Sequence, residues 1–189
     1  QAIITAAQLI MLGDAKAVLA GGAEVMSRGG YLVPAMRWGA RLGHAEMTDM
    51  MLGALHDPFG IGHMGITAEN VAKDYGIDRD AMDALALASQ QRAAAAIEAG
   101  YFDEQITPIK IVGRKQTTVF KVDEHVRGNT TLEGLQSLRP AFDKEGQVTA
   151  GNSSGINDGA SAVALGTAEM AEKSGKAPLA KIIGYGFGG

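Results

Sequence analysis

Cysteine is missing altogether from this 189-residue chain. That excludes a disulfide framework, a zinc–thiolate site and any thiol chemistry performed by the chain itself. Positive charge is not in excess: 17 Lys and Arg stand against 21 Asp and Glu, a net charge of −4. Without a basic cluster, neither nucleic acid nor an anionic membrane is an expected partner. No run approaches the ~20 apolar residues that a membrane-spanning helix needs. Aromatic residues are few, at 5%, so little of any core can be built from large rings. What remains, 46% hydrophobic and 20% charged residues, is ordinary globular usage, which excludes disordered and fibrous classes. The length fits one large domain or two small ones. Glycine is the residue in surplus, 26 of 189, about twice its usual share. Such a chain brings backbone close to backbone, or backbone close to a ligand.

Both ends read as cuts through a core. The chain opens on Gln1, and residues 1–12 (QAIITAAQLIML) are apolar almost all the way round, which predicts a buried helix. The segment is too short for a signal peptide and lacks its positive flank and cleavage pattern. Residues 181–189 (KIIGYGFGG) form a strand-like run without a cap. A fragment of a longer protein is therefore expected.

Between these ends, the apolar run 17–20, closed by Gly21-Gly22, predicts a buried strand after the first helix, and so an α/β layer. Residues 27–43 have no period and hold the only Trp, an extended excursion from the sheet. Helices are predicted over 47–55, after Gly65 with Thr67 as N-cap, and over 79–99, where Met82, Leu85, Ala86, Ser89, Ala93 and Ile97 share a face. The runs 106–112 and 117–122 predict a hairpin around Gly113-Arg114-Lys115. A short helix over 130–138, a strand over 160–165, a helix over 167–175 and a last strand over 179–185 complete the pattern. Strand–helix layers thus bracket an α-rich insert of roughly 125 residues, a common place for a ligand site.

Several short motifs carry little chemistry. Gly151-Asn152-Ser153-Ser154-Gly155 matches the GxSxG elbow of serine hydrolases, but no helix follows, and no His lies after His125. The terminal GYGFGG lacks the helix that a dinucleotide loop opens. His44, His56, His63 and His125 fit no zinc spacing, although His63 stands out between Gly62 and Gly65 just before a helix. Asp74, Asp78, Asp80 and Asp83 read as helix-cap and surface carboxylates. Arg127, in a polar loop of an acidic chain, the turn Pro140-Ala141-Phe142 and the loop 150–157 share one insert, and together suit something large with phosphates at one end.

Three longer strings carry a resemblance: HMGITAENVAKDYGI (63–77), LRPAFDKEGQVTAGNSSGINDGA (138–160) and AGGAEVMS (20–27). They closely resemble the thiolases, the group of acetyl-CoA acetyltransferases and 3-ketoacyl-CoA thiolases, and the similarity runs from Gln1 to Gly189. A thiolase is roughly twice this length, so the chain resembles its middle half. The resemblance implies an α/β fold of layered αβα type, here the latter part of the N-terminal half together with the α-rich loop domain that covers coenzyme A. On that mapping residues 1–26 and 156–189 belong to the core layers, and 27–155 form the inserted loop domain.

The family's acyl-accepting cysteine would lie about five residues before Gln1, at a helix N-terminus that lowers a thiol pKa. Its Asn-Glu-Ala-Phe loop, histidine and second cysteine would lie beyond Gly189, so no catalytic residue is expected in this chain. By similarity Arg127 meets the adenine and phosphate end of CoA. Ser154 bonds the pantetheine amides, with Ala141, Phe142, Ala150 and Ile156 as an apolar wall. Leu55, His63 and Met64 line the pantetheine tunnel near the thioester. Gly134 stands where many biosynthetic members carry a Ser that contacts CoA, and His125 replaces a common Tyr. The implied reaction is Claisen condensation of acetyl-CoA or thiolysis of 3-ketoacyl-CoA through a Cys acyl-enzyme. CoA thioesters are substrates, and no metal or other cofactor is implied. A cytoplasmic homo-oligomer, dimer or tetramer, joined through 28–43 is expected. The alternatives are a catalytically silent CoA-binding piece and an oligomer-forming piece.

Overall fold

The computed structural model describes residues 1–188. The chain divides into two compact units, with cuts after Arg28 and after Ile156.

The first unit holds both ends of the chain. Helix α1 (Ala2–Met11) is followed by strand β1 (Ala17–Val25), and strand β6 (Asp158–Gly166) by helix α6 (Ala168–Ser174). β1 and β6 pair antiparallel from Ala17↔Gly166 to Val25↔Asp158. The pairing carries β1 straight through Gly21-Gly22, where the sequence pattern ends the strand. Its partner offers small residues, and a Cβ on Gly21 would stand 3.0 Å from the Ser161 carbonyl oxygen. Small side chains let the two backbones approach, so the glycines extend the ladder instead of breaking it. At the end of the ladder Asp158 accepts hydrogen bonds from the Ser27 N–H (2.9 Å) and hydroxyl (2.5 Å). These bonds hold its carboxyl below the usual carboxylate pKa.

Helix α1 buries only Ala6 and Ala7, while Met11 and Leu12 are almost bare. The fully buried helix expected from its composition is therefore corrected: a two-stranded ladder covers one side of it. The last predicted strand, 179–185, is also corrected, because this segment has no partner strand among the described residues and stays irregular. No described helix is long and apolar enough to cross a membrane.

The second unit begins with the excursion, which contains 3₁₀ turns and a minimal ladder of β2 (Tyr31–Leu32) with β3 (Thr48–Asp49). Helix α2 (Met50–Ala54) starts at Asp49, whose side chain accepts from Met51 N–H. Helices α3 (Met64–Tyr75) and α4 (Arg79–Glu98) follow, the first stopped by Gly76 in the left-handed conformation, the second capped by Asp78. Strands β4 (Ile109–Val112) and β5 (Thr117–Phe120) form the expected hairpin. Helix α5 (Leu132–Gln136) packs against α4. The core here is small: Ala72, Leu135 and Val148, with Thr149 and Asp83 fully enclosed. Asp83 overturns its reading as a surface carboxylate. On α4, Leu85 and Ser89 lie outside, and the inner face runs instead through Asp83, Ala86, Gln90, Ala93, Ala94 and Ile97.

Candidate functional site

The start of α3 differs from expectation. His63, not Thr67, is the N-cap: its Nδ1 accepts from the Gly65 N–H at 3.0 Å. A ring nitrogen thus does the work usually given to a hydroxyl or carboxylate. The bond leaves Nε2 as the protonated nitrogen of the neutral ring. One face of that ring stacks on Phe142, with centroids 4.7 Å apart and planes at 22°. His56 approaches it edge-on at 5.3 Å, and its own Nδ1 donates to the Leu52 carbonyl. The Leu55 carbonyl accepts from the Met64 N–H at 2.8 Å, which ties the end of α2 to the start of α3. Gly65 is buried beneath the Phe142 ring, with no room for a Cβ.

Phe142 reaches this position because residues 140–142 run beside 148–149. Pro140 bridges Thr149, and the Ala141 N–H donates to the Val148 carbonyl at 2.8 Å. Two sequence strings some eighty positions apart are thereby joined. Leu55, His63, Met64, Ala141 and Phe142 come together, and Ala150 follows directly on the paired segment. Ser154 and Ile156 stand exposed further along the same loop. Two anchors hold the loop. Glu69 of α3 accepts from the Gln147 and Val148 N–H groups at 2.8–3.0 Å, an approach that requires Gly146, where a Cβ would overlap the carboxylate. Asn152 donates to Asp83 of α4 at 3.0 Å. Gly151 is as confined, since a Cβ would lie 2.6 Å from both Leu135 and Leu138. Gly65, Gly146 and Gly151 thus serve close approach within these motifs.

Arg127 lies apart from the His63–Phe142 group. It is exposed, and its guanidinium forms no ion pair among the described residues. Its backbone is fixed, however. The Arg127 N–H donates to Gln90 Oε1 at 2.8 Å, and its carbonyl accepts from Thr130. Gln90 and Asp83 share one face of α4 seven residues apart, about 10 Å along the axis. The Arg127 loop and the 147–154 loop therefore hang from one helix, an arrangement that suits an elongated ligand.

Sequence reasoning missed three groups here. Glu69 and Asn152 carry no signal of their own inside the longer strings, and the sequence pattern makes Asp83 a surface carboxylate. The Arg79–Asp83 spacing of four was the available signal. The imidazole of His125 lies against Gly155, in the loop between Ser154 and Ile156, where a Cβ would overlap the ring. Gly134 sits in the first turn of α5, its N–H bonded to Thr131 Oγ1. Ser153, the GxSxG serine, donates its hydroxyl to the Thr149 carbonyl, so the group sits in a loop and not in a strand–helix elbow.

Comparison with known proteins gives the same assignment along the chain. Residues 1–169 match the family model "Thiolase, N-terminal domain". The beta-ketothiolase BktB of Cupriavidus necator is 56% identical over 190 residues, covering all of this chain and 48% of that protein. Among solved structures, the Bacillus anthracis acetyl-CoA acetyltransferase superposes with a TM-score of 0.88 at 48% identity over 95% of this chain and 45% of the other. The human mitochondrial 3-ketoacyl-CoA thiolase in complex with CoA gives 0.86 at 43% identity over 95% and 45%. The chain spans about half the length of the curated relatives it matches. It carries the α/β thiolase fold, and it belongs to the thiolase family.

Proposed function

We propose that this chain is part of a CoA-dependent acyltransferase that condenses two molecules of acetyl-CoA, or cleaves a 3-ketoacyl-CoA with free CoA. The observation that carries the reading is the junction of His63, Met64 and Leu55 with Phe142 and the 148–154 loop. A rigid wall of apolar and small side chains with a few polar groups suits the pantetheine arm, which is slender and carries two amides. A CoA complex of a human member of the family supports the same ligand class.

Residues 29–156 act as the CoA-covering domain. Ser154 bonds a pantetheine amide, and Ala141, Phe142, Ala150 and Ile156 pack beside the arm. Leu55, His63 and Met64 surround it nearer the thioester, with the Nε2–H of His63 free to donate. Arg127 takes the nucleotide end, where a fixed-charge guanidinium meets phosphate or adenine. The acyl-accepting thiolate and the base lie outside this chain. The thiolate attacks the thioester carbonyl, and CoA leaves as thiol. Deprotonated acetyl-CoA then attacks the acyl-enzyme, forming the carbon–carbon bond and releasing the cysteine. CoA thioesters are the substrates, and no separate cofactor takes part. The place of action is the cytoplasm.

The exposed excursion, with Trp38 90% accessible, joins subunits into a dimer or tetramer, as a surface of that kind usually does.

The test is Arg127→Ala in the intact parent. KM for CoA in thiolysis rises about 5- to 150-fold, equivalent to about 1–3 kcal/mol, while kcat changes little. An unchanged KM removes Arg127 from the site. The 189-residue chain by itself, having no cysteine, cleaves no acetoacetyl-CoA. Turnover by the purified chain contradicts the assignment of the nucleophile to a residue outside it.

A further inference from the structure

Asp83 has no exposed surface, which is rare for a helical carboxylate. Both its oxygens are engaged. Oδ2 accepts from Arg79 Nε at 2.7 Å, and Oδ1 accepts from Asn152 Nδ2 at 3.0 Å. Arg79 in turn donates to the Leu135 and Leu138 carbonyls, at 2.7 and 3.1 Å. Asn152 is shared between two tasks. Its Nδ2 reaches Asp83 and the Gln147 carbonyl, and its Oδ1 accepts from the Thr149 N–H at 2.7 Å. Thr149, fully enclosed, accepts at its Oγ1 from the N–H groups of Gly151 and Asn152. Residues 147–152 thus close on themselves, and the Asn152–Asp83 bond fastens them to α4. Ala150 and Ser154 stand two positions to either side of Asn152.

The pairing of the acceptor with Arg79 decides the geometry. A carboxylate only accepts, so it dictates which end of the Asn152 amide faces it, and therefore which end faces the Thr149 N–H. A neutral amide at position 83 could donate as well as accept. The Asn152 side chain would then have two competing orientations, one of which sets N–H against N–H at Thr149.

We propose that Asp83, acting through Asn152, is a positioning residue that fixes Ala150 and Ser154 for the pantetheine arm. It sets the affinity for CoA and not the rate of the chemical step. This rests on the reading of the 148–154 loop as a CoA wall.

The experiment uses the intact parent, with CoA affinity measured by calorimetry, kcat at saturating substrate, and thermal unfolding. Asp83→Asn preserves volume, and Asn152→Asp places two carboxylates face to face. Each raises the Kd for CoA about tenfold, as expected for a mispaired buried polar group, while kcat stays within about twofold. The exchange D83N/N152D restores donor-to-acceptor pairing. Oδ1 of the new amide accepts from Arg79, its Nδ2 donates to the new carboxylate, and that carboxylate still accepts from the Thr149 N–H. The bond to the Gln147 carbonyl and the weak contact with Met82 Sδ are lost. The exchanged protein recovers to within about threefold of the original Kd, a rescue that neither single change predicts. If Asn152→Asp fails to fold, D83N and the exchange still decide. A folded D83N with unaltered Kd overturns the proposal, as does a loss of kcat equal to the loss of affinity. So does an exchange variant that melts normally without regaining affinity. Ser154→Ala and Arg127→Ala run alongside. If they weaken CoA binding while D83N does not, the positioning role alone fails; if none of them does, the site itself is misread.

Discussion

Gly65→Ala adds one methyl group at the point where α3, the 140–142 turn and the His63 ring converge. The new Cβ would occupy the space of the Phe142 ring, overlapping Cγ and both Cδ atoms. The obstacle is a flat ring stacked on His63 with centroids 4.7 Å apart, not the free end of a flexible chain. Overpacking of this kind costs about 1–3 kcal/mol. If the ring is displaced, the aromatic stack contributes a further loss of about 0.5–1.5 kcal/mol. Alanine gains up to about 1 kcal/mol over glycine in a helix, less in the first turn, where Gly65 stands. With the ring displaced, the expected net loss is therefore about 0.5–4.5 kcal/mol. Urea unfolding of the intact parent measures it. Because the same ring forms the proposed CoA wall, the affinity for CoA should fall as well. The decisive comparison is the double variant: with Phe142→Ala already present, the added methyl meets empty space, and Gly65→Ala should cost nothing or stabilise. Equal cost in both backgrounds would refute the reasoning, because the penalty would then not come from the ring.

Asp158→Asn should change the acid limb of stability. Ser27 holds the Asp158 carboxyl below its ordinary pKa, so its contribution is complete above the unfolded value and is lost as pH falls through the folded one. The gap in stability between parent and variant should be constant near neutrality and should shrink below about pH 4; the same gap at pH 3 and pH 7 contradicts this. Deleting residues 28–43 should reduce a tetramer to dimers by light scattering, and a tetramer that survives the deletion removes the excursion from the subunit contact.

Much of the framework was legible because its determinants are local. Helix 79–98 follows from its periodicity and from Asp78, and the end of α3 from Gly76. The β4–β5 hairpin follows from alternating runs around Gly113. What could not be read depends on partners far along the chain. Asp83 looks solvated until Asn152, sixty-nine positions away, is seen to face it. The passage of β1 through two glycines needs β6, and the missing strand at 179–185 needs a neighbour that the described chain does not offer. His63 as a cap goes against residue preference, which favours Thr67. The site residues themselves came from resemblance. The pattern of the sequence alone singled out only His63, Arg127, the 140–142 turn and the 150–157 loop.

The β1–β6 ladder also bears on how the protein folds. Its paired residues lie between 133 and 149 positions apart (25 with 158, 17 with 166). Closing a flexible loop of that size costs on the order of 4 kcal/mol of chain entropy before any ladder bond forms. Strand pairs of high sequence separation are slow to meet for the same reason. Most of that cost disappears if residues 29–156 condense first and shorten the effective tether between Val25 and Asp158. The ladder is then a late event, and the Ser27–Asp158 bonds latch it at its tether end. Pulse-labelled hydrogen exchange during refolding should protect α4 before β1, and simultaneous protection of the two would show that the ladder does not wait for the insert.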